Sequence, residues 1–322
     1  MAGVWVYAEV TSDGGVDTAA LEILTKARTL GGELAAVALG PGASAAAGRL
    51  GEHGAATVYA SDDEVFADYV AQPAAHALHH LVEKHAPELI LFATNYDSRD
   101  IAGRLSAKTG SPLMSNATDL LGLDRARTAV AGGATLVDVA LEGSPRLVLV
   151  RPKSFKAEPS GGAAELVPVD VDVPGELRLA KRVERHEAAA SGPRLEDAGV
   201  VLAGGRGLGE AGNFKLLDEL ASLIPNAAVG ATRAVVDAGW VPYAYQIGQT
   251  GKAVKPDVYI AAGISGATQH IVGMKGAKRV VAINKDDDAP IFQMADFGVV
   301  GDALKVLEQL IDEVRSRTGG AP

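Results

Sequence analysis

Cysteine is absent from the 322 residues, which removes disulfides, thiolate metal sites, iron–sulfur clusters and any cysteine-linked cofactor from consideration. Basic residues are in deficit: 30 Lys and Arg stand against 40 Asp and Glu, for a formal net charge of −10. No block of five or more basic residues occurs. A nucleic-acid or anionic membrane surface needs a concentrated positive patch, so neither partner is expected. No apolar run approaches the ~18 residues of a membrane span, so no membrane insertion is expected. The start, MAGVWVYAEV, lacks a charged leading segment and reads as a first strand instead of a signal peptide. A cytoplasmic protein is the expectation. Prolines number only 15, and the 38 glycines follow no three-residue period, which excludes collagen and general disorder.

What is present is the length and pattern of two α/β domains, at ~150 residues per domain. Strands are read at Val4 to Val10, Glu33 to Leu39, Thr57 to Ala60 and Glu88 to Thr94. Helical spacing falls at Val16 to Leu30, around Ala43 to Leu50, near Glu64 to His85, and at Arg99 to Lys108. ELILFAT is a near-continuous apolar run, as expected of a strand buried on both faces of a parallel sheet. This half is predicted to be doubly wound. From Thr128 to Glu187 the helical period fades into ATLVDVA, RLVLV and LVPVDVDV, read as antiparallel strands added to the edge of the first domain. AAASGPRLEDAG, from Ala188 to Gly199, is small and polar and reads as a linker or hinge. The alternation then restarts with GVVLAG, a helix near Gly212 to Leu223, AAVGAT, DVYIAA, a helix from Ala267, RVVAIN, FGVV and a helix from Ala303. The expected division is 1–190 and 191–322.

Several motifs fail on spacing. GQTGKAV lacks the first glycine of a nucleotide-triphosphate loop, where Gln246 stands, and its hydroxyl, where Ala253 stands. KDDDAP lacks the central glycine and distal glutamate of a calcium loop and reads as a solvated turn. His76 and His80 share a helical face within AHALHHLVEKH, but no third metal ligand is evident, so the cluster up to His85 reads as a helix surface. GISGA has the wrong spacing for a nucleophile elbow.

What survives is a set of loops at successive strand ends: Gly204 to Phe214, Gly230 to Trp240, Ile247 to Pro256, Gly263 to His270 and Ile283 to Gly298. In an open parallel sheet such loops converge on one edge. Their glycines admit close backbone approach, and N–H groups near Ala267 favour a phosphate or pyrophosphate. Arg206, Arg233 and Lys252 add positive charge, while Asn284 and Asp296 suit hydroxyl or base recognition. The residues alone thus point to an elongated dinucleotide.

The same segments are familiar as a set. GGRGL…NFKLLDELA, VGATRAVVDAGWVP, QIGQTGK, DVYIAAGISGATQHIVGMKGAKRVVAINKD and APIFQMADFGVVGD resemble, in that order, the FAD domain of the electron transfer flavoprotein α subunit. ATNYDSRDIAGRLSAKTG and RPKSF extend a looser likeness to the N-terminal half. The resemblance implies a Rossmann-like second domain holding FAD. It places Arg233 over the flavin ring and Thr250 near its N5, with Gln249, Gly251 and Lys252 in the same loop. His270 would lie near the C2 carbonyl, helping to hold the anionic one-electron-reduced ring. Gly263, Ile264, Ser265, Gly266, Ala267, Thr268 and Gln269 would hold the ribityl–pyrophosphate part. Arg206, Asn284, Asp296 and the adjoining Phe297 would meet the pyrophosphate or adenosine end. Thr232 stands where many members have serine. The resemblance further implies a β-subunit partner carrying AMP and contacted by the first domain. Electrons would pass from flavin dehydrogenases, such as the acyl-CoA dehydrogenases of fatty acid β-oxidation, to a membrane quinone oxidoreductase. The second domain would pivot about the linker. A nucleotide-binding regulatory module and a substrate-oxidising flavin dehydrogenase are the alternatives. The regulatory module, binding adenylate alone, would have no use for the Arg233 and His270 pair.

Overall fold

A computed structural model of the chain describes residues 3–11, 14–130, 135–184 and 193–318. It divides into two compact units, Met1–His186 and Glu187–Pro322.

The N-terminal unit runs β1 (Gly3–Ala8), α1 (Thr18–Ala27), β2 (Glu33–Leu39), α2 (Ala47–Glu52), β3 (Thr57–Ser61), α3 (Val65–Asp68), α4 (Gln72–His85), β4 (Leu89–Ala93) and α5 (Tyr96–Thr109). It continues with β5 (Leu113–Leu120), β6 (Arg125–Val130), β7 (Thr135–Ala140), β8 (Arg146–Val150) and β9 (Glu165–Pro168). Among the described residues these strands form one nine-stranded sheet in the order β7-β6-β5-β8-β4-β1-β2-β3-β9. Pairing is parallel from β5 to β9 and antiparallel only across β5, β6 and β7. Two apolar clusters cover the faces, one around Leu21, Leu24 and Leu91, the other around Leu78, Phe92 and Leu105. Every residue of β4 is buried, because crossover helices lie on both sides of a parallel strand.

Three expectations for this unit need correction. RLVLV is not an edge strand: β8 lies between β4 and β5 and pairs parallel to both. Its apolar run, like that of β4, reflects burial on two faces. LVPVDVDV contributes only its first residues, as part of β9, which runs parallel to β3 at the opposite edge. The single helix read near Glu64 to His85 is two, broken at Tyr69–Ala71, where Ala71 takes φ 49°. The break frees Tyr69 to bridge Lys181 and the Val70 N–H to donate to the Ala180 carbonyl. Within α4, the His76 ring nitrogen Nε2 lies 3.2 Å from the Asp172 carbonyl oxygen, a tertiary contact of the helix surface.

The C-terminal unit runs β10 (Val200–Gly204), α6 (Phe214–Ser222), β11 (Ala227–Thr232), α7 (Arg233–Asp237), β12 (Gln246–Ile247), β13 (Val258–Ala262), α8 (Thr268–Met274), β14 (Val280–Asn284), β15 (Phe297–Val300) and α9 (Ala303–Thr318). Its described strands are all parallel, in the order β12-β11-β10-β13-β14-β15. The chain winds outward in one direction from β10 and then in the other from β13, the doubly wound arrangement whose switch point lies between those two strands. One face is closed by α6 and α9, with Leu202, Leu217, Ile283, Leu307 and Ile311 in a common core. The other is closed by α8 and the loops, around Tyr259, Met274 and Ile291. Of the segment read as a linker, residues 188–192 lie outside the described residues. Its remainder is built into this unit, since Leu195 and Ala198 are buried in the second core. Neither α7 nor β12 was legible, both being too short to show a period.

Ala86 ends α4 in the left-handed region (φ 47°, ψ 57°), its N–H donating to the Val82 carbonyl 2.8 Å away. The residue is exposed, so its methyl group contributes strain without packing. Ala86→Gly is expected to stabilise the N-terminal unit by about 0.5–1 kcal/mol, the left-handed penalty less the entropy of glycine. A higher urea midpoint at unchanged slope is the readout, and an unchanged or lower midpoint would refute the strain.

Candidate functional site

Five loops leave the carboxyl edge of the C-terminal sheet and enclose a cavity of about 640 Å³, within the size range of small-molecule sites. Gly205, Arg206 and Gly207 follow β10; Thr232, Arg233, Ala234 and Asp237 come from the end of β11 and from α7. Gln246 to Thr250 span β12 and the loop after it, while Gly263, Ile264, Ser265, Ala267, Gln269 and His270 follow β13; Asn284 ends β14 and Asp286 follows it.

Backbone contact holds the first and fourth loops together. The Gly205 N–H donates to the Ala262 carbonyl at 3.0 Å, and the Gly207 N–H to the Gly263 carbonyl at 2.9 Å. A Cβ on Gly205 would stand 2.4 Å from the Gly263 oxygen, and one on Gly207 2.6 Å from the Gly263 Cα. Gly263 itself has φ 63° and faces Gly207 equally closely. These positions cannot carry side chains without separating the loops. The third loop is seated on α8 in the same way: Gly273 packs where a Cβ would meet the Gly248 nitrogen at 2.4 Å, and the Gln249 N–H donates to the Gln269 carbonyl at 2.8 Å.

Of the residues singled out from the sequence, Arg206, Thr232, Arg233, Gln249, Thr250, Gly263, Ile264, Ser265, Ala267, Gln269, His270 and Asn284 line this cavity. Six others do not. Gly251 is a turn glycine whose Cβ would meet the Gln246 carbonyl oxygen at 2.3 Å. Lys252 turns away, its ammonium 2.9 Å from the Glu196 carboxylate. Gly266, with φ 88°, is packed against Ile291. Thr268 is exposed at the start of α8 and outside the lining. Asp296 and Phe297 sit at the start of β15, where Phe297 pairs with Val281, whereas the cavity lies at the far end of the strands beyond Asn284. The Asp296 carboxylate accepts from the Val280 N–H at 2.8 Å, a contact that fixes the strand entry. The direction of a parallel strand thus removes both from the site.

Sequence reasoning missed Asp237, Gln246 and Asp286. Asp237 had a signal, four residues after Arg233 on one helical face. The Arg233 Nε lies 3.1 Å from its carboxylate, in an exposed pair worth little to stability. Gln246 was noticed only as a failed glycine position; it is buried, and its Nε2 donates to the Thr250 hydroxyl oxygen at 3.0 Å. Thr250 therefore keeps its own O–H as a donor, while its carbonyl accepts from the Tyr243 hydroxyl. The Asn284 amide donates to the Ile264 carbonyl at 2.9 Å, joining the fourth and fifth loops. Asp286 extends into the solvated acidic turn with Asp287 and Asp288.

His270 is 6% exposed, with Nδ1 3.1 Å from the Ile247 carbonyl oxygen and Nε2 2.8 Å from the Tyr259 hydroxyl. Burial pushes its pKa down to about 4, opposed by the bond to Ile247. The imidazole is therefore neutral at physiological pH.

A doubly wound parallel sheet whose switch-point loops close on a glycine-walled cavity defines a ligand-binding α/β protein with an extended site. Comparison with known proteins narrows the class. Residues 4–174 match the electron transfer flavoprotein domain, and residues 194–275 the electron transfer flavoprotein FAD-binding domain. The electron transfer flavoprotein subunit alpha of Mycobacterium leprae is 42% identical over 321 residues, covering 99% of this chain and 100% of that protein. That of Syntrophomonas wolfei is 38% identical over 324 residues, covering 98% and 100%. Protein FixB of Clostridium saccharobutylicum is 34% identical over 327 residues, covering 97% and 96%. The chain belongs to the electron transfer flavoprotein α-subunit family. The FAD-binding match supports a flavin cofactor and spans four of the five cavity loops.

The depressed pKa of His270 makes stability depend on pH. Between about 4 and 6.5 the unfolded chain binds this proton and the folded chain does not, so stability rises with pH across that window and is lost on acidification. From about pH 7 to pH 5 this one side chain is expected to cost roughly 2 kcal/mol. His270→Asn should remove that part of the slope in urea titrations at the two pH values; an identical slope would refute the assignment.

Proposed function

We propose that this chain is the FAD-carrying subunit of a soluble, cytoplasmic, heterodimeric electron carrier, with a Rossmann-like second unit and no substrate chemistry of its own. One observation carries the reading: the glycine-walled cavity at the sheet switch point, with its two guanidinium groups, falls mainly within residues matched to an FAD-binding domain.

The residues present fit the group. FAD, when bound, supplies one-electron transfer, and the protein's task is to bind, orient and tune it. Gly205, Gly207 and Gly263 line the cavity, and their missing Cβ atoms let the first and fourth loops meet along its wall. Ser265, Ala267 and Gln269 belong to the same stretch, and α8 begins there with no side chain capping its first turn. Those N–H groups favour an anionic linker between the two halves of the ligand. Arg206 and Asn284 would serve its adenosine end, and Arg233 with the Thr250 hydroxyl its ring end. Arg233, held through Nε by Asp237, retains its terminal nitrogens for the ligand. A positive charge there stabilises negative charge on the ring as an electron arrives, by the same physics that lowers an acid's pKa beside a cation.

The partner in this proposal is a β subunit carrying AMP, docked on the N-terminal unit. Flavin dehydrogenases, such as those acting on acyl-CoA, donate electrons, and a membrane quinone oxidoreductase accepts them. No helix among the described residues is long and apolar enough to cross a membrane. The test is to co-express the chain with its candidate β partner and record absorbance during stepwise reduction. Flavin bands at one FAD per heterodimer are expected; a colourless heterodimer that binds nucleotide but no flavin would overturn the proposal.

Replacing Arg233 by Ala is expected to leave the fold intact, since the residue is two-thirds exposed. Loss of one partly screened charge contact of ~1–2 kcal/mol should lower the one-electron potential of bound FAD by about 40–90 mV. Spectroelectrochemical titration measures it, and an unchanged potential would remove Arg233 from the ring end.

A further inference from the structure

His270 lines the cavity, yet both of its ring nitrogens are used inside the chain. A carbonyl oxygen can only accept, so the contact at 3.1 Å to Ile247 requires the hydrogen on Nδ1. Nε2 is then a bare acceptor, and the Tyr259 hydroxyl, 2.8 Å away, is its donor. The reverse tautomer would set a lone pair against the Ile247 oxygen in a poorly solvated place, where such a mismatch is costly.

Tyr259 is fully buried on β13, within the apolar cluster of Val201, Ile247 and Met274. Phenylalanine would fill that space equally well, so packing alone does not account for the hydroxyl. A buried tyrosine hydroxyl needs a partner, and His270 provides it. We propose that Tyr259 is a positioning residue of the cofactor site: its hydroxyl fixes His270 in the Nδ1–H tautomer. Through the Ile247 carbonyl the same tautomer ties the start of the Gly248 to Thr250 loop to α8. On the FAD reading, the ring that Tyr259 positions is the one the family resemblance sets near the flavin C2 carbonyl. The charged groups lining the same cavity are Arg206, Arg233, Asp237 and Asp286, and Tyr259 is the titratable side chain bonded to the ring. Burial raises the Tyr259 pKa, which keeps the hydroxyl a donor at any physiological pH.

The consequence for the ring end rests on the FAD reading; the hydrogen-bond assignment does not. The test uses the ¹⁵N-labelled full-length chain and long-range ¹H–¹⁵N spectra. The expected wild-type spectrum shows His270 protonated at Nδ1, bare at Nε2 and unchanging between about pH 6 and 8. A proton on Nε2, or titration near the ordinary histidine pKa, would overturn the proposal. Tyr259→Phe is expected to shift the tautomer ratio by about fivefold or more, the worth of one ordinary hydrogen bond. An unchanged spectrum in a folded variant would remove Tyr259 from the role. Should the variant not fold, the wild-type Tyr259 hydroxyl proton decides the matter: exchange-protected and correlated with Nε2 it supports the assignment, and correlated with another acceptor it overturns it. Titration with FAD separates the two readings. Movement of the Gln249 and Thr250 amides with a constant His270 tautomer supports both. A change of tautomer on FAD binding overturns this inference alone, and no response to FAD even with the candidate β partner present overturns the proposed function alone.

Discussion

The C-terminal unit depends on a backbone-to-backbone contact that admits no side chain. β10 and β13 pair in parallel, Gly204 opposite Ala262, and their continuations stay in touch through Gly205, Gly207 and Gly263. Two hydrogen bonds pin the loops, and three missing Cβ atoms let them approach. Everything around the cavity is placed relative to this seam. The fourth loop leads into α8, α8 seats the third loop through Gly273, and Asn284 fastens the fifth loop to Ile264. The site is a chain of close approaches whose first link is set by sheet register.

Much of this architecture was legible because parallel strands and their glycine exits leave strong local marks. ELILFAT and DVYIAA read as buried strands, and the loop after DVYIAA announced itself by glycine. The failures share one cause: sequence pattern reports local environment but not neighbour order. RLVLV looks the same whether it lies at an edge or at the centre, and its place between β4 and β5 follows from a crossover that no local signal encodes. Asp296 and Phe297 were plausible for composition and wrong in position, because nothing local says at which end of the sheet a residue falls. Lys252 and Gln246 illustrate the same limit within one loop. The charged side chain leaves for Glu196, while the unremarked amide turns inward to Thr250.

The electrostatics of the cavity are more balanced than a count of its cations suggests. Arg206 and Arg233 are matched in number by Asp237 and Asp286 around the same cavity, and Arg233 is already bonded to Asp237. The histidine adds no charge, being buried and satisfied from both sides. With charges of both signs around it, the cavity is not a general anion trap. That is the property expected of a protein that must hold a charge-changing group through repeated cycles without altering its own protonation.

The placement of α9 bears on how the chain folds as it is made. Ala303, Leu307 and Ile311 of this helix close a core that also holds Leu202, Leu217 and Ile283. Until α9 has emerged from the ribosome, the part of this face that α6 does not cover lies open, including apolar side chains synthesised about a hundred residues earlier. The N-terminal unit faces no such delay, since its outermost parallel strand, β9, is complete well before that point. Synthesis thus imposes an order: the first unit can form on the emerging chain, while the cofactor-binding unit stays incomplete, and exposed to chaperones, until α9 has been made.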